Sequence, residues 1–208
     1  MCPALPKGPD TDRLGKHASA RSTDRGEPAR HRCKLRRQFS NHGPEGLLEL
    51  SRVDTKGWAF ESVNLTALCQ RAIMSLSATI SEARAEVTHD NLPTVMGDGR
   101  QLAQLLQNLI GNAVKFRNSV PPVVHVSAEQ WEDKWRLSVR DNGIGIEAEN
   151  VEHIFGIFKR LHAQSEYPGS GIGLSICKRI VERHNGRIWV EPQPDEGTVF
   201  YLTLPREV

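Results

Sequence analysis

At 208 residues the chain can bury one good core plus an appendage. No run approaches the ~20 apolar residues of a membrane span, and the N-terminus lacks the apolar core of a signal peptide, so a soluble cytoplasmic protein is expected. The net charge of +2 hides an asymmetry: residues 1–45 carry ten Lys/Arg against five Asp/Glu, leaving 2 − 5 = −3 for the remainder.

The basic lead, residues 1–43, is rich in Pro, Gly, Ser and Arg, has almost no aliphatic periodicity and is expected to be disordered. Phe39 is the one aromatic among its arginines, which argues against a stacking platform for nucleic acid. Order is expected from about Pro44, with two helical turns in Gly43–Val53 before DTKGW breaks the pattern. Asn64 is a plausible N-cap for a helix in which Leu65, Leu68, Ala72, Ile73, Leu76 and Ile80 repeat to about Ala83. A short strand at Glu86–Thr88 and a turn, LPTVMGD, lead to Asp98, which can cap a helix centred on Gln107.

That helix carries Leu102, Leu105, Leu106, Leu109, Ile110 and Ala113 on one arc. Asn108, Asn112 and Lys115 share another side, with Phe116 at its edge. Two amides and an ammonium stacked in this way suit magnesium and phosphate, although any amphipathic helix has a polar face. Pro121–Pro122 end the helix, and Val123–Ala128 with Trp135–Arg140 alternate as a β-hairpin. One or two short helices are expected in Glu147–Phe158, a polar connection in Leu161–Gly169, and a helix over Ile172–His184 stopped by Asn185–Gly186. A hairpin of Arg187–Glu191 and Thr198–Leu204 closes the chain. Strands joined mainly by hairpins and mixed with helices favour an α+β two-layer sandwich. Cys2, Cys33, Cys69 and Cys177 have neither zinc nor disulfide-framework spacing.

Chemistry concentrates in two glycine-rich segments. In RDNGIGI, Asp141 ends a strand; as an ionised carboxylate it accepts hydrogen bonds and donates none, so it would favour the 6-amino group of adenine over the carbonyl of guanine. Gly143 and Gly145 would let the backbone approach a flat base, although the same residues also make a plain Asp-Asn-Gly turn. In GSGIGL, Gly169–Leu174, exposed backbone N–H groups at a helix start form an anion site. A dinucleotide fingerprint is the rival, but no strand immediately precedes these glycines.

Taken in order, QNLIGNAVKF, DNGIGI, IFGIFKRL and GSGIGLSICKRIVERHNG resemble the asparagine, first glycine, phenylalanine and second glycine boxes of sensor histidine kinase catalytic domains. That family is shared with gyrase and heat-shock chaperone ATPases. The resemblance spans about residues 47–204 and is nearest to bacterial phytochrome-like kinases. It implies a Bergerat-type sandwich over residues 59–208, with a mixed, mostly antiparallel sheet covered by helices on one face. Residues 44–58 would be a remnant of a dimerisation hairpin and its linker.

The resemblance further implies ATP and Mg2+ as cofactors. Asn112 would ligate the metal, with Asn108, Lys115 and Arg160 acting on the phosphates as catalytic residues. Phe116, Asp141, Gly143, Gly145 and Ile146 would hold the adenosine side; Leu161, Gly169, Ser170, Gly171, Ile172, Gly173, Leu174 and Thr198 would complete the site, with Leu161–Gly169 as a nucleotide lid. Asn108 stands where the hydrolytic relatives place a glutamate base, and an amide cannot take a proton from water. None of the eight histidines is followed by the acidic residue and proline of a phosphoacceptor. A donor of the γ-phosphoryl group to a histidine on another chain or domain is therefore expected, with an intact kinase and a response regulator as further partners and neither nucleic acid nor membrane among them. The alternative is a non-catalytic nucleotide-binding regulator of an intact kinase.

Overall fold

The computed structural model describes residues 58–159, 170–191 and 197–206. The expected helix in Gly43–Val53 and the whole basic lead lie outside them.

Glu61–Asn64 (β1) pairs antiparallel with Thr94–Gly97 (β3) in a small two-stranded sheet. LPTVMGD thus contains a strand and is not merely a turn. Its alternation is only one buried valine and one buried glycine long, too short to register as a pattern. Asn64 caps Leu65–Ser75 (α1), its side-chain oxygen accepting from Ala67 N at 2.9 Å. The single helix expected to about Ala83 divides at Leu76 into α1 and Ser77–Ala83 (α2). Ser75 is the cause on hand: its hydroxyl donates back to Ala72 O at 2.8 Å, a bond that competes with the helical ladder and bends it.

The main sheet has the order β2-β4-β5-β7-β6. It is built from Glu86–His89 (β2), Val123–Trp131 (β4), Lys134–Asp141 (β5), Ile188–Glu191 (β6) and Thr198–Pro205 (β7). Only β2 and β4 run parallel; the other three pairings are antiparallel. Gly99–Lys115 (α3) and Gly173–Arg183 (α4) lie on one face, with α1 packed on α3. This is the expected α+β two-layer sandwich.

Period-2 alternation decides which side chains face the helices. Val124, Val126, Leu137, Val139, Leu202 and Leu204 point inward against Leu105, Leu109 and Ile110 of α3 and Ile176, Ile180 and Val181 of α4, all buried. Each such side chain contributes about 1.5–3 kcal/mol through removal from water. The other face carries the Ser127–Ser138 hydroxyl pair, the Arg136–Glu129 ion pair and the stacked rings of Trp189 and Tyr201. A one-sided antiparallel sheet of this kind needs no second covering layer.

Of the one or two short helices expected in Glu147–Phe158 there is one, the 3-10 helix Ala148–Asn150, followed by turns with i→i+3 bonds such as Gly156 N to His153 O. Ile154 alone is fully buried there, with Phe155 half-buried, so no continuous apolar stripe exists to pay for an α-helix.

One buried polar cluster ties the two long helices together. Asp98 caps α3, accepting through Oδ1 from the N–H groups of Arg100 and Gln101 at 3.0 and 3.2 Å. Its Oδ2 accepts from Trp58 N at 2.7 Å and from Arg183 Nη1, near the end of α4, at 3.2 Å. His184, 1% exposed, accepts through Nε2 from Asp98 N at 3.0 Å. Its Nδ1 lies 2.7 Å from Ile180 O, and since a carbonyl can only accept, the ring is the neutral Nδ1–H tautomer.

Candidate nucleotide site

The capped start of α3 sets the rotation of the whole helix. Leu105, Leu109 and Ile110 go to the core, and Asn108, Asn112 and Lys115 are left lining a cavity of about 290 Å3. Phe116 closes the helix, donating its N–H to Asn112 O at 2.9 Å, and it also lines the cavity. Lys115 Nζ sits 4.4 Å from the Phe116 ring centroid, a cation–π contact that holds the ammonium beside the cavity.

Opposite α3, β5 ends in Asp141. Its Oδ1 accepts from Gly143 N at 2.8 Å and Thr198 N at 3.1 Å, while Oδ2 accepts neither bond. Asp141 is 7% exposed. Burial pushes its carboxyl up to about 6, although the two N–H donors pull the other way. The turn that follows is stitched to the end of α3: Ile144 N donates to Phe116 O at 3.2 Å, and Asn118 Nδ2 donates to Gly143 O at 2.9 Å. A Cβ at Gly143 would stand 2.1 Å from Phe116 O. This glycine therefore permits backbone to meet backbone; it does not line the cavity, contrary to its expected place against the base.

The third wall is the start of α4. Gly171 has φ of +71°, a left-handed conformation that glycine adopts without strain. Ser170, Gly171, Gly173 and Leu174 line the cavity. Ile172 is turned the other way, 1% exposed in the core, so its side chain anchors the loop and does not face a ligand. Asn108 Nδ2 lies 3.5 Å from Gly173 O, which links α3 to the α4 start.

Of the remaining expected residues, Gly145, Ile146 and Thr198 line the same cavity. Arg160, Leu161 and Gly169 lie outside the described residues. The structure thus gathers asparagine helix, carboxylate turn and glycine turn, with Asn108 and Gly173 65 residues apart in sequence, around one space. A larger depression of about 500 Å3, lined by Trp131, Arg136, Arg187 and Trp189, lies on the other sheet face and contains no expected residue.

Residues 97–208 match the family described as "Histidine kinase-, DNA gyrase B-, and HSP90-like ATPase". The chain belongs to this family. Among relatives of this ATPase domain, cyanobacterial phytochrome A of a Nostoc strain is 50% identical over 161 residues, covering 77% of this chain and 21% of that protein. The adaptive-response sensory kinase SasA of Thermosynechococcus vestitus is 37% identical, covering 69% of this chain and 38% of that protein. The chain spans about a fifth of the length of the phytochromes it matches. Among solved structures, the nucleotide-free catalytic domain of histidine kinase ThkA is similar at a TM-score of 0.62 and 29% identity, over 72% of this chain and 97% of that one. Full-length ShkA in complex with AMPPNP is similar at 0.66 and 26%, over 77% of this chain and 34% of that one. These likenesses make the chain a histidine kinase-type ATPase domain of a family that binds ATP.

Sequence reasoning passed over four residues lining the cavity of this ATPase domain: Ile144, Ile154, Lys159 and Phe200. Phe200 was available from alternation along β7, since it shares the inward face with Leu202 and Leu204. Ile154 lies in Glu147–Phe158 and Lys159 directly after it, a stretch with no sustained period to show which side faces the cavity. The bracing role of Asn118 depends on a tertiary contact and has no local signal.

Proposed function

We propose that this chain is the ATP–magnesium-binding catalytic domain, residues 59–208, of a two-component sensor kinase that donates the γ-phosphoryl group to a histidine on another chain or domain. The observation that carries the reading is the meeting in one cavity of Asp141, the Asn108–Asn112–Lys115 face and the Gly171–Gly173 turn. The Asp141 carboxylate suits the 6-amino group of adenine, and the glycine turn with Lys115 suits the phosphates. Arg160 is the cation proposed for the terminal phosphate.

Among the described residues no group of three His, Cys, Asp or Glu side chains could hold a metal. A divalent ion fits here through the amide oxygen of Asn112 together with oxygens of the nucleotide and water, and once bound it would neutralise phosphate charge. Asn108 contributes an amide where hydrolysis needs a base, which favours keeping ATP for transfer. In the transfer a P–O bond to ADP breaks, a P–N bond to the acceptor imidazole forms, and the chain contributes chiefly positioning and charge. The reading implies a compartment that holds ATP, so the cytoplasm is proposed, with a response regulator downstream. No described helix is long and apolar enough to cross a membrane.

Labelled ATP, this chain and a separately made histidine-bearing helical hairpin are expected to yield an acid-labile, base-stable phosphoprotein. Tight ATP binding with no acceptor ever labelled would favour a non-catalytic regulator, whereas steady release of inorganic phosphate would favour an ATPase.

The raised Asp141 pKa adds a pH test. With Oδ1 held by Gly143 N and Thr198 N, protonation puts an O–H donor on the oxygen left for the amino group, so apparent affinity scales with the ionised fraction. Adenosine, which has no phosphate to titrate, is expected to bind about tenfold more weakly at pH 5 than at pH 7.5. An affinity flat across pH 6, followed by NMR titration, would remove Asp141 from contact with the base.

A further inference from the structure

We propose that Lys159 is a phosphate-contacting side chain of this site, lining the same cavity as the α3 cation Lys115. The inference rests on the nucleotide reading above and adds a residue to it.

Lys159 lines the same cavity as Asn112, Lys115, Ser170 and Gly171. Asp141 is the only acidic side chain among the residues lining that space, and it is engaged by Gly143 and Thr198. Among the described residues no carboxylate pairs with Lys159. An ammonium beside a cavity whose glycine turn is suited to an anion is a point charge awaiting a counter-charge. A magnesium-bound triphosphate still carries net negative charge, so a cation added to Lys115 and the proposed Arg160 further favours its binding.

The backbone supports the same conclusion. Phe158 has φ of +59°, a left-handed conformation that is unfavourable for a bulky side chain. Burial does not compensate it, since Phe158 is 48% exposed and its neighbour Ile157 46%. The strained turn sends two apolar side chains outward and places the next residue, Lys159, at the cavity. Strain kept beside a binding cavity without a packing return is the kind of local cost that a ligand contact explains.

The test is calorimetry on the whole chain with adenosine, ADP and ATP in the presence of magnesium, comparing wild type, Lys159→Gln and Lys159→Arg. Because the side chain is exposed, Lys159→Gln is expected to fold normally, and circular dichroism checks this. ATP should bind about three- to fivefold more weakly to Lys159→Gln, the size expected of one solvent-screened charge pair. Adenosine affinity should be unchanged, and Lys159→Arg should restore ATP binding. Added salt should weaken ATP binding to wild type more than to Lys159→Gln. Unchanged ATP affinity in Lys159→Gln overturns the proposal, as does an equal loss for adenosine, which would place Lys159 at the base. If wild type binds adenosine and ATP but Lys159→Gln matches it, the nucleotide reading stands and Lys159 alone is wrong. If wild type binds neither, both fall.

Discussion

Asp141→Asn is expected to weaken adenine-nucleotide binding by about ten- to a hundredfold, the size of one hydrogen bond to a charged group, while the protein folds at least as stably as before at pH 7.5. The two halves of this expectation have separate causes. In the folded protein Oδ1 of Asp141 accepts from Gly143 N and Thr198 N. An asparagine oxygen can accept both bonds, so the turn survives. What changes is the other end of the group, where an acceptor becomes an N–H2 donor. A donor facing the adenine amino group is a mismatch, whereas it matches the carbonyl of a 6-oxopurine. Calorimetry should therefore show ATP weakened and the gap to inosine or guanosine triphosphate narrowed.

Stability moves differently because the carboxylate is buried at a cost. Its pKa is raised from 3.8 to about 6 on folding. The contribution of such a group is fully present below pH 3.8 and lost as pH rises through 6. At pH 7.5 wild type carries the whole penalty, about 1–3 kcal/mol on that shift, and Asp141→Asn removes it. A variant that loses binding and stability together would show Asp141 to be a structural carboxylate with no special relation to the base.

The same residue shows how far the sequence could be read. A carboxylate at the end of a strand, followed by glycines, announces a site because its side chain and its neighbours' missing side chains are local facts. The inward faces of α3, α4 and the main strands were legible for a related reason: periods of 3.6 and 2 survive in any tertiary context that buries one face. Gly143 shows the limit. Its type was informative, but only the fold reveals that the space it frees is filled by the Phe116 carbonyl. Segments without periodicity failed most completely. β3 is four residues long, and Glu147–Phe158 follows neither period, so Lys159 could be placed only once the chain was folded. His184 belongs here too: at the end of the helix expected over Ile172–His184 no local signal marks it, yet it is buried and neutral.

That cluster supports the second large effect. Asp98→Ala is expected to destabilise the fold by about 2–4 kcal/mol at pH 7, measured by urea denaturation. The loss combines the α3 cap, the Trp58 N–H partner and the Arg183 ion pair; Arg183 is discounted because its side chain keeps 24% of its exposure and can turn to water. Asp98→Asn keeps the capping oxygen and should lose about half as much. pH separates this cluster from the site. Burial raises the Asp98 pKa, but hydrogen bonds from Trp58, Gln101, Arg183 and Arg100 outweigh it and hold the carboxyl below its usual range. Its contribution is therefore present above pH 3.8 and fades as pH falls through its lowered pKa, so the gap between wild type and Asp98→Ala should close in strong acid. Burial likewise holds the His184 pKa below 6.5, and this contribution is lost as pH falls below 6.5, where the unfolded chain takes up the proton. Asp141 opposes that trend between pH 6 and 3.8, because there the folded state takes up the proton. Asp141→Asn should consequently lose stability more steeply than wild type on acidification from pH 6.5 to 4, whereas Asp98→Ala should follow the wild-type slope over that range. Parallel curves for wild type and Asp141→Asn would mean that Asp141 is not buried as a carboxylate in the folded protein, and a gap for Asp98→Ala that persists unchanged to pH 2 would mean that the charge of Asp98 contributes nothing.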